Sequence, residues 1–238
     1  MHPDHPALVE RLRSRARPTS HGRFDPSGYL GSDHAVLNVS VPDRRAIAKA
    51  WIAAHKDAAP AEVLALAASL FDGPSHEEKT LAALLLAAHR KARAVAGAED
   101  VDRWLDRLAG WAEVDTLCQN VFPAEQLLAD WPAWRGLIRR LAEDANINRR
   151  RAALVLLVGP AARSDDPRLR ELAFETIDRL KPERAILITK AVSWLLRAMT
   201  ARHAAAVRAY LQANAAALPA IAVRETRSKL ETGRKAAP

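Results

Sequence analysis

What most constrains this chain is an almost unbroken succession of apolar stripes at helical spacing, with no alternation of polar and apolar residues long enough to make a strand. Apolar side chains return every three or four residues through segments 42–55, 60–71, 75–95, 101–109, 113–122, 124–129, 133–143, 149–158, 167–180, 183–199, 203–214 and 219–230, and a shorter amphipathic segment covers 7–17. Val63, Leu66, Ala67 and Leu70 share one face, as do Leu81, Leu84, Leu85 and Ala88. Aromatic residues make up only 5% of the 238, and Ala and Leu, both strong helix formers, supply most of the remaining apolar content. Punctuation agrees with the pattern. Pro42 and Pro60 stand where a helix's first turn leaves an N–H unused. Asp72-Gly73-Pro74 ends one helix, and Ser75 with Glu78 three residues on opens the next as a capping box. The extended-looking stretch 36–41 reads as a loop before Pro42.

A dozen helices joined by short breaks predict an all-α chain of paired helices stacked in a row. With no exact period, the repeat is degenerate, which is the pattern of a HEAT-like solenoid, a curved α-α superhelix. The predicted organisation is an N-terminal helix and linker over 1–22, one helical domain over 23–230 and a disordered basic tail over 231–238. Pro18-Thr19-Ser20-His21-Gly22 supplies the linker's break. The single cysteine, Cys118, excludes an internal disulfide and reads as a core residue. The start of the sequence lacks a signal peptide's apolar stretch, and the longest apolar runs, such as 152–158, fall far short of the ~20 residues that span a bilayer. A soluble, cytoplasmic protein is expected, with no membrane partner. The eight histidines are scattered, there is no metal-ligand spacing, and Gly-rich phosphate loops and GxSxG are absent, so no metal or cofactor is expected.

The formal charge is +8, and the span 190–238 carries nine basic residues against two acidic ones, which is +7 of it. A basic surface of this kind attracts polyanions, of which nucleic acid is the usual one, although for the last ten residues alone a solubilising tail is the preferred reading. Three local constellations bear on chemistry. Trp111, Val114, Asp115 and Cys118 stand at i, i+3, i+4 and i+7, so Asp115 is a carboxylate in a stripe expected to be buried. A buried charge is paired or used, and a helix cap is the other reading. Asn146 is an expected N-cap ahead of Arg149, Arg150 and Arg151, whose charges oppose the helix dipole; a phosphate there would resolve the conflict, and so would the nearby acids Glu143 and Asp144. Lys190, Trp194 and Arg197 share one helical face, either as a surface for a sugar-phosphate backbone or as a core indole bordered by snorkelling cations.

Taken together, four blocks resemble the AlkD-type DNA alkylation repair family, in the family's order and at about its spacings. They are Tyr29-Leu30-Gly31-Ser32-Asp33-His34-Ala35-Val36-Leu37-Asn38-Val39-Ser40-Val41-Pro42 with Arg44-Arg45 and Ala48-Lys49; Trp111-x-x-Val114-Asp115; Arg150-Arg151-Ala152-Ala153-Leu154; and Lys190-Ala191-Val192-Ser193-Trp194-x-Leu196-Arg197. The resemblance implies a HEAT-like solenoid that holds duplex DNA on a basic concave face and hydrolyses the N-glycosidic bond of cationic N3- or N7-alkylated purines. It implies Asp115 as the catalytic aspartate, with Trp111 and Trp194 lining the lesion's sugar. Tyr29 lies on the same face and Arg150-Arg151 lie near the backbone; Arg149, Lys190 and Arg197 complete the expected DNA contacts. A monomer acting on double-stranded DNA, and so associated with the nucleoid, follows. The chain departs from the family at Gly110 and Asn148, where aromatics are common, and at Ala112, where an acidic residue is. A DNA-structure-binding member without activity, or a protein-interaction scaffold, are the other functions such a chain could have.

Overall fold

The computed structural model describes residues 1–18 and 26–235, and among them fourteen α-helices and no strand. Among the described residues the sole extended pairing is an isolated parallel bridge between Ala35 and Ser75. Packing divides the chain into two compact units, Met1–Val121 and Phe122–Pro238. Within the described residues no helix is long and apolar enough to cross a membrane.

The first unit holds α1 (His5–Arg13), α2 (Pro26–Leu30), α3 (Val41–Ala54), α4 (Pro60–Phe71), α5 (His76–Ala88), α6 (Arg90–Val95), α7 (Ala98–Leu105) and α8 (Gly110–Asn120). Its centre is α5, which packs against α3, α4 and α8. The capping box is present: the Glu78 N–H donates to Ser75 Oγ (3.2 Å) and the Ser75 N–H to Glu78 Oε2 (2.9 Å). Because three helices enclose it, α5 is buried well beyond the stripe expected from Leu81, Leu84, Leu85 and Ala88. Its whole first turn, His76–Thr80, is buried, whereas Ala88 is exposed. Those buried polar groups are satisfied. Glu77 accepts from the N–H groups of Leu37 (2.8 Å) and Val39 (3.2 Å), and Lys79 Nζ donates to the Phe71 carbonyl (2.7 Å). The helix expected to run to Val95 stops at Ala88, because His89 turns out of helical geometry and caps α6 with its own ring: Nδ1 accepts from the Ala92 N–H at 3.0 Å. The N-terminal helix is present as α1 and packs into this unit, with His5, Leu8 and Leu12 buried and His5 Nε2 2.8 Å from Glu78 Oε1. The rest of that linker, from Thr19 on, lies outside the described residues.

The second unit holds α9 (Ala124–Ala129), α10 (Trp131–Ala142), α11 (Ile147–Arg163), α12 (Pro167–Leu180), α13 (Ile186–Asn214) and α14 (Ala220–Thr232). Here α11 is the centre, buried at every position from Arg151 to Ala161, as expected of a helix that is apolar all round. It packs against α10, α12 and α13. The two helices expected over 183–199 and 203–214 are both present within α13, meeting at a kink at His203, where φ is −122° and ψ 34° and the geometry is not helical. The tail is ordered as far as it is described. α14 runs to Thr232, Gly233 ends it in the left-handed conformation (φ +72°), and Lys235 Nζ lies 3.1 Å from Glu225 Oε1.

Candidate functional site

In the first unit, the residues singled out in the sequence gather where α2 and the following loop meet the start of α8. The closest approach is backbone to backbone. Gly110 opens α8 with φ +72°, and a Cβ there would stand 2.1 Å from the Leu30 carbonyl oxygen and 2.8 Å from that of Gly31. Only glycine meets both demands, which accounts for the missing aromatic at this position. The contact brings Trp111 to Tyr29. Trp111 Nε1 donates to the Tyr29 carbonyl at 2.8 Å, and the rings meet edge to face with centroids 5.5 Å apart and planes at 89°. Tyr29 is 60% exposed and Trp111 half-buried. Asp115 lies one turn further along α8, at the i+4 position from Trp111, and is half-buried.

Asp115 is therefore not the buried carboxylate expected of its stripe. Val114, Leu117 and Cys118 fill the core from α8, while Trp111 and Asp115 sit at the stripe's edge. The buried carboxylate is Glu113, 1% exposed and given no role in the sequence reading. Four donors converge on it: the Ala109 N–H (2.9 Å), His34 Nδ1 (3.0 Å), His76 Nδ1 (3.1 Å) and Ser32 Oγ (3.3 Å). Arg44, itself buried, donates from Nη1 to His76 Nε2 at 3.2 Å and to the Thr80 hydroxyl. A guanidinium can only donate, so His76 must accept at Nε2 and carry its proton on Nδ1, facing Glu113. Burial pushes the Glu113 carboxyl up, but the hydrogen bonds from His76, the Ala109 N–H and His34, together with the His34 charge, outweigh it and hold the group below its ordinary value.

The loss of that carboxylate should be measurable. Glu113→Gln puts an amide NH₂ among four donors, and we expect a cost of about 2–4 kcal/mol near neutral pH, the scale of buried donors left facing the wrong partner. A carboxyl lowered by folding contributes stability that is complete above its unfolded value, here 4.5, and is lost as pH falls through its folded value. Thermal melts of parent and variant should therefore converge as pH drops below 4.5; a gap that stays constant to acid pH contradicts the assignment.

In the second unit the arginine cluster has found the acids rather than leaving its charge open. Asn146 caps α11 as expected, its Oδ1 accepting from the Asn148 N–H at 2.9 Å. Arg149 Nε lies 2.7 Å from Asp144 Oδ2. Arg150 grips Glu183 through two bonds, of 2.7 and 3.2 Å, and donates to the carbonyls of Asp144 and Ala145. Arg151 is buried, with Nη1 on the Leu187 carbonyl. Glu143, the other acid expected to serve the cluster, pairs instead with Arg179 at 3.1 Å. The Arg151 guanidinium is enclosed by the fold, where it braces α11 against the start of α13.

On α13, Lys190 is exposed, and Trp194 and Arg197 are half-buried, while Ala191, Val192, Leu195 and Leu196 form the core side. Trp194 is thus not a fully buried core indole. Arg197 Nε lies 3.2 Å from Glu225 Oε2, and Ser193, fully buried, donates from Oγ to the same carboxylate at 2.5 Å. No sequence signal pointed to Glu225 as this anchor, or to His34 and His76 as partners of Glu113. An acidic residue in the first turn of α8 was the one visible hint.

The family model described as DNA alkylation repair enzyme matches residues 9–230. A solved structure described as a predicted DNA alkylation repair enzyme from Enterococcus faecalis is similar at 16% identity, with a TM-score of 0.68 over 90% of this chain and 100% of the other. No curated protein matches.

Proposed function

From the chain's membership of the DNA alkylation repair enzyme family, we propose that it is a monofunctional DNA glycosylase that hydrolyses the N-glycosidic bond of N3- or N7-alkylated purines in duplex DNA. The observation that carries the reading is the half-buried Asp115 carboxylate one helical turn from Trp111, whose ring meets Tyr29 edge to face. An alkylated purine is already cationic, so it leaves without a general acid and without a cofactor. The C1′–N bond breaks, and its electron pair departs with the base and neutralises it. A water oxygen bonds to C1′, and its proton passes to the Asp115 carboxylate and on to solvent. The barrier lies in the oxocarbenium that develops on the sugar. A carboxylate beside an aromatic face lowers it, by charge and by cation–π attraction. Trp194 is assigned a contact with the lesion's sugar, and Lys190 and Arg197 contacts with the backbone. The reading includes a HEAT-like solenoid acting as a monomer on DNA in the cytoplasm.

The direct test is release of 7-methylguanine and 3-methyladenine from methylated duplex, with unmethylated duplex as control. Binding of both duplexes without release would favour the non-catalytic reading. Binding should also be electrostatic. Affinity for duplex is expected to fall steeply with salt, and Lys190→Ala to reduce the slope of log affinity against log salt by about one. Arg151→Ala should leave that slope in place and lower the melting temperature instead. Equal slopes for parent and Lys190→Ala would remove Lys190 from the interface.

A further inference from the structure

Two of the segments that carry the proposed chemistry meet on one buried side chain. Tyr29 is three residues from Ser32 and five from His34; Trp111 and Asp115 lie two residues to either side of Glu113. The Glu113 carboxylate takes hydrogen bonds from Ser32 and His34 in the loop after α2, from His76 at the start of α5, and from the Ala109 N–H that precedes α8. Ala109, the residue capping α8, has no side chain able to do so, and the helix opens on a glycine in the left-handed region. Without the Glu113 bond to the Ala109 N–H, little would define the first turn, on which Trp111 sits. The Ser32–His34 bonds likewise tie down the loop that brings the Tyr29 carbonyl to Trp111 Nε1.

We propose that Glu113, clasped by Ser32, His34, His76 and the Ala109 N–H, is the positioning residue of the site: it fixes Tyr29 and the Trp111–Asp115 turn against each other before any substrate arrives. As a statement about catalysis this rests on the glycosylase reading above; as a statement about geometry it does not. Its effect is preorganisation. A carboxylate that must stabilise a developing charge is useful only where it already stands at the right place, and displacement of about 1 Å can cost two orders of magnitude. Arg44 extends the clasp: its bond to His76 Nε2 holds the ring with Nδ1–H toward Glu113, so the donor is aimed before the acceptor needs it.

Glu113 itself is a poor variant for testing this, since its removal threatens folding. His34 is better. It is half-buried, outside the apolar core, and its Nδ1 is one of the four donors. His34→Ala removes the donor; His34→Asn keeps an N–H near the position of Nδ1. We expect His34→Ala to lower single-turnover release of 7-methylguanine about tenfold with duplex affinity changed less than twofold, and His34→Asn to recover most of the loss. The loss should require Asp115. In the Asp115→Asn background, His34→Ala should add nothing further, because it acts through a carboxylate no longer there. A role confined to stability would instead lower both backgrounds alike, in proportion to the folded fraction. A second readout does not depend on activity. The fluorescence of Trp111, taken as the difference between a chain and its Trp111→Phe counterpart, should become more accessible to acrylamide in His34→Ala and return toward the parent in His34→Asn. Unchanged accessibility overturns the proposal whether or not the parent excises. A parent that releases no base, with accessibility altered as stated, overturns the glycosylase reading alone. Additive losses in the two backgrounds overturn the action through Asp115.

Discussion

Asp115→Asn is expected to reduce single-turnover release of 7-methylguanine by about 10²-fold or more, the scale of a lost electrostatic stabiliser. The substitution keeps size and removes charge. It takes a negative charge from a protein whose partner is a polyanion, so duplex affinity should hold or rise slightly. Asp115 is half-buried at the rim of its stripe, and the residues that build the core from α8 are Val114, Leu117 and Cys118, so the fold should tolerate the change. Trp111→Ala should slow release less, since it removes a contact with the sugar and leaves the charge in place. A rate equal to the parent's, in a variant whose melting temperature matches the parent's, would reject Asp115 as the catalytic residue.

Gly110→Ala is expected to be the most damaging change of a single methyl group in the first unit. A β-carbon at φ +72° carries the usual cost of the left-handed region, about 1 kcal/mol. The larger cost is steric, because that carbon would lie 2.1 Å from the Leu30 carbonyl, a backbone atom that cannot swing away as a side chain would. The loop after α2 and the start of α8 must part, and the Trp111–Tyr29 bond with them. We expect about 2–4 kcal/mol of destabilisation in total, read as a shift in the urea midpoint without a change in m-value, together with loss of excision. The neighbouring substitution Gly31→Ala separates the two costs. Its Cβ would lie 3.7 Å from Gly110 Cα, an ordinary contact, so it should show the φ cost alone. Equal effects at the two glycines would mean that the close approach at Gly110 is not what matters.

The helices were legible wherever the signal was local. Ser75 and Glu78 are three residues apart, and their reciprocal bonds form as the spacing predicts. Asn146 caps α11, and α4, α9 and α12 occupy the expected segments, each bounded by a proline or a polar cap. What escaped the sequence has partners far along the chain. Glu113 is bonded to residues 79 and 37 positions away, and nothing in a single sequence ties an acid in one helix to a histidine at the start of another. The arginines of α11 presented a choice between phosphate and acid that their spacing could not settle. In the structure Arg150 pairs with Glu183, 33 residues on, and Arg149 with the neighbouring Asp144. The boundary at Ala88 was missed because His89 leaves the helix without glycine or proline and replaces the lost bond with its own ring. Asp115 is shallower than the stripe suggests because a stripe at i, i+3, i+4 and i+7 is about 100° wide, and its margin at Asp115 is half-exposed while its margin at Val114 is fully buried.

Cys118 lies three residues beyond Asp115, fully buried on the core side of the same helix. It is the only thiol in the chain. A soluble disulfide reagent cannot meet that sulfur while α8 is seated, so each labelling event reports one departure of the helix from its bed. When reclosing outpaces labelling, the rate divided by that of a free thiol gives the population of the opened form, and hence the free energy of opening this one helix. The protein carries a built-in clock for the element that bears its candidate aspartate, one that runs without substrate or engineered probe.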